Sequence, residues 1–296
     1  MSIVKCLSVG EGDMFYIVHG SDNFTIIDCC MSEDDRSGIV KELKSKSAGR
    51  GITRFISTHP DDDHISGLVY LHQQMDLLNF YCVKNEATKE DETDDFNQYC
   101  ELRDDSKRAF YLFRGCSRRW MNEDDGERKN SGLSILWPIT DSALHKEALK
   151  QAKEGDSPNN ISPIVKYSLI GGATIIWMGD LESIFMNEVK DEVRMDATDI
   201  LFAPHHGRDS GTVPTRWLEQ MNPKLIIIGE APSIHLNYYV GYNTITQNSA
   251  GDITFDCVPE QTRVYVSNRD YSVHFLDDEG MPDTHGKYLG TLNVKN

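Results

Sequence analysis
Residues 59–64 read His-Pro-Asp-Asp-Asp-His, placing two imidazoles and three carboxylates within six positions, just after the apolar run Phe55-Ile56. Divalent cations are held by imidazole nitrogen and carboxylate oxygen, and a tight loop leaving a strand can aim several such groups at one point. A solvated acidic loop needs neither the bracketing histidines nor the strand before them. The cluster calls for a rigid sheet behind it, and His59, Asp61, Asp63 and His64 become candidate metal ligands.

The pattern on either side supplies such a sheet. Residues 1–30 alternate strand-like runs with turn residues, so a meander of three strands is expected, broken at Gly10-Glu11-Gly12-Asp13 and Gly20-Ser21-Asp22-Asn23. Residues 33–48 carry Ile39, Val40 and Leu43 on one helical face, and 65–75 have the apolar spacing of a second helix. Further strands are expected at 133–139, 164–170, 173–180, 199–204 and 224–230, with helices at 182–195 and 213–221 between them. Segments 252–257, 262–267 and 271–277 close the chain as an antiparallel set. No internal repeat or linker interrupts the 296 residues, so one α/β domain is expected over 1–296.

Residues 85–130 differ in character, acidic first and mixed in sign afterwards, and read as a solvated helical insertion. Within it Lys107, Arg108, Tyr111, Phe113, Arg114, Arg118, Arg119 and Trp120 interleave cations with aromatic rings. That stretch is the one suited to greet a phosphate or a base.

Charge limits the partners. Lys and Arg number 30 against 47 Asp and Glu, a net charge of −17, which opposes tight, non-specific binding of polyanions. Cys6, Cys29, Cys30, Cys82, Cys100, Cys116 and Cys257 form no CxxC pair and read as reduced thiols. No apolar run approaches the ~18 residues of a membrane span, and no basic-then-apolar leader opens the chain. A cytoplasmic protein is expected.

Three further strand ends repeat the theme. Asp28 closes the third strand, Asp180 follows the strand at 173–179 in a Gly-Asp turn, and His205 and His206 follow 199–204 in Pro-His-His-Gly. Singly, an Asp after a strand is ordinarily a helix N-cap. Several strand ends delivering Asp or His in succession point instead to one shared site. His19, His72, His145, His274 and His285 have no such context.

This order resembles the metallo-β-lactamase superfamily, and within it the soluble hydrolase domain of the competence protein ComEC and its stand-alone relatives. The matching stretches are Val9-Gly10-Glu11-Gly12-Asp13, the strand to Asp28, His59 to His64 with Asp at position 61, Asn159-Asn160-Ile161-Ser162, Gly179-Asp180-Leu181-Glu182 and Pro204 to Gly207. The resemblance implies a four-layer αββα sandwich and two divalent ions, zinc or manganese. His59 and Asp61 would hold the first ion, Asp63 and His64 the second, with Asp180 bridging and His205 completing the second position. Asp28 would orient a ligand histidine, and His206 and Asn160 would face substrate oxygens or complete the weaker position. Two departures matter. Asn160 stands near the place of a histidine of the wider superfamily, and no later His-Pro element is visible, His235 being the one candidate for it. The first position is then expected to be oxygen-rich, suited to manganese or magnesium, or empty.

Ligands of this kind imply hydrolysis by a metal-activated hydroxide, with Asp63 also orienting the nucleophile and His206 at the substrate. The resemblance implies a phosphodiesterase or nuclease acting on nucleic acid or a nucleotide-derived diester, with Arg118 and Arg119 on the binding surface. Two alternatives stay open: a hydrolase of a small ester (lactone, thioester or phosphorylcholine ester), and a non-catalytic binding module with a decayed site.

Overall fold
A computed structural model of the chain describes residues 1–294. In chain order its strands begin with β1 (Ser2–Cys6), β2 (Phe15–Val18), β3 (Asn23–Ile27), β4 (Ile52–Ile56), β5 (Phe80–Cys82) and β6 (Ala109–Tyr111). There follow β7 (Leu133–Trp137), β8 (Ile164–Ser168), β9 (Thr174–Trp177), β10 (Ile200–Phe202), β11 (Leu225–Ile228) and β12 (Thr244–Thr246). The last three are β13 (Ile253–Val258), β14 (Gln261–Val266) and β15 (Lys287–Asn293). The first six and last three build a nine-stranded mixed sheet, ordered β15-β14-β13-β1-β2-β3-β4-β5-β6. The middle six build a second mixed sheet, ordered β12-β11-β10-β9-β8-β7.

The helices are α1 (Arg36–Ser47), α2 (Asp62–Ile65), α3 (Leu68–Met75), α4 (Asp94–Asp104), α5 (Ala143–Lys153), α6 (Ser183–Val189), α7 (Thr215–Met221) and α8 (Gln247–Ala250). Three buried clusters set the layers. Val4, Ile17, Ile56 and Tyr81 of the first sheet meet Val165, Ile175, Trp177 and Phe202 of the second. Phe24, Ile26 and Phe55 on the first sheet's outer face pack under Val40, Leu43, Leu68, Leu71 and Phe96 of α1, α3 and α4. Ile176, Leu201 and Ile226 on the second sheet's outer face pack under Ala148, Met186, Trp217 and Met221 of α5, α6 and α7. The order is helices, sheet, sheet, helices. With both faces covered, β5, β10 and β11 keep no exposed residue, which is why they read as unbroken apolar runs.

Strands β1, β2 and β3 form the expected antiparallel meander. Four expectations need correction. The helix read at 65–75 is split, because Gly67 adopts φ +86 and starts α3 separately, leaving α2 to carry Asp62, Asp63 and His64. Residues 85–130 are not wholly helical. They hold α4 and also β6, which pairs in parallel with β5 as the edge of the first sheet. The helix read at 182–195 stops at Val189, and its later apolar residues Val193 and Met195 are buried from a loop. Residues 271–277 form no strand. Their alternating Tyr271, Val273 and Phe275 lie against the inter-sheet core, while β15 takes the place beside β14.

All seven cysteines are free. Among the described residues, no helix is long and apolar enough to cross a membrane.

Candidate metal centre
The carboxyl ends of β3, β4, β9 and β10 converge at one end of the sandwich. Beyond β3, Asp28 takes φ +55 and is 1% exposed, its carboxylate accepting from Thr58 N at 2.8 Å and from Thr58 Oγ1 at 2.7 Å. The same carboxylate lies 3.0 Å from His64 Nδ1. A carboxylate only accepts, so His64 carries its proton on Nδ1 and turns Nε2 inward. Asp28→Asn should therefore keep the fold but weaken metal binding about 10- to 100-fold, as loss of such an orienting partner does. Competitive chelator titration measures it, and an unchanged dissociation constant would deny Asp28 that role.

Beyond β4, His59 is fully buried, with Nδ1 at 3.1 Å from Thr58 Oγ1 and 3.2 Å from Ser162 Oγ. Beyond β9, the turn at Gly179 has φ +51, and a Cβ there would lie 2.6 Å from Ser162 Oγ and 2.8 Å from Thr58 Cβ, so only glycine lets the two sheets approach this closely. That approach presents Asp180, with Oδ1 3.1 Å from His64 Nε2 and Oδ2 3.3 Å from His206 Nε2.

Two groups of side chains bring one ligand atom each within 4.8 Å of one another: Asp13, His64, Asp180 and His206; and His59, Asp63 and His64. His59 Nε2 is buried without a hydrogen-bond partner, and His64 Nε2 has only its ion pair with Asp180 Oδ1. Donor atoms sharing one ion at about 2.0–2.1 Å lie roughly 3.0–3.4 Å apart, and each of His64 and His206 stands at that distance from one oxygen of Asp180. This buried His/Asp cluster can hold a metal ion.

Some candidates fall elsewhere. His206 rather than His205 joins the centre. His205 is 17% exposed and joins neither group, with Nδ1 3.0 Å from Ser210 Oγ and Nε2 3.8 Å from Asp180 Oδ2. Asp61 Oδ2 stands 3.9 Å from His59 Nε2, but its other oxygen pairs with Lys89 at 3.3 Å, outside both groups. Asn160 exchanges hydrogen bonds with Glu182, its Nδ2 donating at 2.9 Å and its Oδ1 accepting at 3.1 Å, and Ser162 of the same stretch reaches His59 in its stead. His235 is exposed on the turn Ser233–His235 and joins neither group.

Arg118 and Arg119 lie away from the cluster. Arg118 sits over the Phe110 ring at 4.8 Å, and Arg119 over Trp120 at 4.9 Å while pairing with Asp125. Trp120 offers its carbonyl to Arg54, whose other partners are Asn23 and Thr25 at the start of β3. Asn23 and Asp28 stand at opposite ends of that strand, about 16 Å apart at ~3.3 Å per residue. The basic and aromatic stretch from 118 to 120 serves the far end of the sheet.

Asp13 was quoted in a motif but given no role by the sequence. Gly12 explains how it arrives. A Cβ there would come within 2.6 Å of Asp63 O, and the bare backbone lets Asp13 N donate to that carbonyl at 3.1 Å. Asp13 Oδ1 then meets His206 Nδ1 at 3.2 Å.

Electrostatics favour a cation. Burial, with His64 beside it, depresses His59 to about 3, so that imidazole is neutral. Burial works against charge on His64 and His206 too. Asp180 reverses it, with Asp28 at His64 and Asp13 at His206, and holds both well above 6.5. In the metal-free chain these imidazolium ions supply the positive charge. Their contribution to stability is complete below 6.5 and is lost as pH rises through their raised values. Asp180, held low by the same pair, contributes in the opposite sense, its share being lost only in strong acid. A cation needs neutral imidazole, so binding should release protons and tighten from pH 6 towards pH 8. Calorimetry near pH 7 in buffers of differing ionisation enthalpy tests this, and a binding heat independent of buffer would contradict it.

No protein-family model matches the chain, and no curated protein matches it.

Proposed function
We infer that the chain is a metal-dependent hydrolase of metallo-β-lactamase type that cleaves phosphodiester bonds. The observation that carries this reading is the convergence of buried donor atoms on one point, His59 Nε2 without a partner and His64 Nε2 and Asp180 Oδ1 3.1 Å apart. Left bare, His59 Nε2 costs the free energy of a lost hydrogen bond, and a cation shared with its neighbours removes that cost. Bound there, a divalent cation supplies Lewis acidity and lowers the pKa of water. The mixed imidazole and carboxylate donors suit zinc or manganese.

The chain's own residues supply the rest. Asp63 is the partly exposed carboxylate of the cluster, its side chain 36% accessible. Burial acts to raise its pKa, but the His206 hydrogen bond and the His64 charge outweigh burial and hold it at about 2, so it stays ionised to orient an attacking water. His206 Nε2, 3.2 Å from Asp63 Oδ2, is the nitrogen that would meet a cation, and Asp13 at Nδ1 orients the ring as a ligand. His64 Nε2 cannot serve both groups at once, so a second ion requires Asp61 to turn from Lys89 towards His59. At the mouth, Lys89 and Arg208 add positive charge suited to a phosphoryl group, though Asp61, Asp62 and Glu11 share it.

Metal analysis of the purified chain, with turnover of bis(p-nitrophenyl) phosphate under added zinc, manganese or magnesium, tests this reading. Bound metal and metal-dependent turnover are expected. A metal-replete protein that leaves every diester intact while cleaving a lactone or choline ester quickly would replace phosphodiester hydrolysis with small-ester hydrolysis.

A further inference from the structure
A cavity of about 300 Å³ opens on the rim that carries the metal centre, between the free edges of the two sheets. Lys84 and Phe113 each follow the carboxyl end of a strand by two residues, β5 and β6, and Pro138 directly follows β7; all three line the cavity. Since β4, β5 and β6 run parallel, this is the same end as His59. Two strand spacings separate the β4 and β6 ends, about 10 Å. Arg114 N donates to Pro138 O at 2.7 Å and fixes the two edges together.

Its lining is unusual for a gap between edges. Phe113 is 39% exposed, and Lys84 Nζ lies 5.4 Å from the centre of the Tyr111 ring. Among the described residues Lys84 forms no ion pair with a carboxylate, in a chain with 47 acidic residues to choose from. His145, on the cavity wall, is 3% exposed, and its Nδ1 is buried without a hydrogen-bond partner. Burial depresses its pKa to about 4, so it forms a neutral part of the wall. Aromatic faces beside a cation without a carboxylate partner suit a flat heteroaromatic ring that carries phosphate. An apolar ligand would leave Lys84 unused.

We propose that this cavity seats an unstacked nucleobase of a single-stranded nucleic acid whose backbone runs along the rim to the metal centre. The inference rests on the phosphodiesterase reading for the direction of the strand. A base paired in a duplex cannot enter, so the cavity selects single strands.

The test uses the full chain carrying Asp63→Ala to block cleavage, with a short single-stranded oligonucleotide containing fluorescent 2-aminopurine. Binding should quench the fluorophore, Phe113→Ala and Lys84→Met should each weaken binding about tenfold, and Phe113→Trp should restore it. Both side chains are exposed, so neither change threatens the fold. An unquenched probe, equal affinity in both weakened variants, or equally tight binding of free 2-aminopurine nucleotide would overturn the assignment. Bis(p-nitrophenyl) phosphate turnover by the unaltered chain reports separately on the activity. If it fails while base binding holds, the catalytic reading falls and the cavity assignment stands.

Discussion
Asp180→Asn should strip metal from the chain and lower hydrolysis by about 10³-fold, the scale on which removing one charge-stabilising group acts. The side chain is 2% exposed, and its two oxygens face different histidines, His64 at 3.1 Å and His206 at 3.3 Å. Asparagine keeps the shape and offers one neutral oxygen, so the centre loses a full negative charge where burial makes charge count most. The backbone anchor, Asp180 N donating to Ser162 Oγ at 3.3 Å, is untouched. Circular dichroism should therefore match the parent while bound metal falls. Asp63→Ala should lose turnover to a similar degree but retain more metal, because it is shared with His59 and His64 alone. Parental turnover in either variant would place the chemistry elsewhere.

The second large effect concerns stability. Trp177→Ala should cost about 3–5 kcal/mol, as large-to-small changes at buried aromatic sites do. Trp177 lies between the sheets, stacked on Phe202 at 5.1 Å with an interplanar angle of 11°, and edge-on to Phe15 at 6.1 Å. Its indole Nε1 has no hydrogen-bond partner, so Trp177→Phe gives up area and no polar contact and should cost roughly 1–2 kcal/mol. Denaturant unfolding of the metal-free pair separates the two. Equal losses would mean that Nε1, and not the stacked area, carries the contribution. Trp177 also stands three residues before Asp180 on the same run, so the alanine variant should bind metal more weakly as well.

Much of the centre was legible because its donors are concentrated and strand-borne. His59, Asp63 and His64 come from one loop, and Asp180 follows an apolar run whose Gly-Asp turn is visible in the letters. The choice between His205 and His206 was not legible, because adjacent residues differ only in which way the backbone turns them. Both take positive φ, 54 and 55, and the second is the one turned inward. Asp13 could be found only through Gly12, whose lack of a Cβ matters solely once Asp63 is known to lie against it. Arg118 and Arg119 misled because charge pattern carries no address. Their segment is drawn to the opposite end of β3 by Arg54, a 1%-exposed guanidinium that needs the Trp120 carbonyl. The last strand was misplaced for a different reason. Residues 271–277 alternate better than Lys287–Asn293, but β14 pairs with the later segment, which accommodates a register shift opposite Val264 and Tyr265.

The place of β1 in the first sheet bears on how the chain is made. Ser2 to Cys6 pair on one side with β2, close by in sequence, and on the other with Cys257 to Ile253. Until residues 253–258 leave the ribosome, β1 is an edge, with its backbone donors and acceptors open to any other extended chain. Closing so long a loop adds little to its equilibrium cost, since that cost grows only logarithmically with length. It does slow the search, because contacts this distant in sequence dominate the folding barrier. The nascent chain therefore carries a half-built sheet for as long as it takes to make the residues between Cys6 and Ile253.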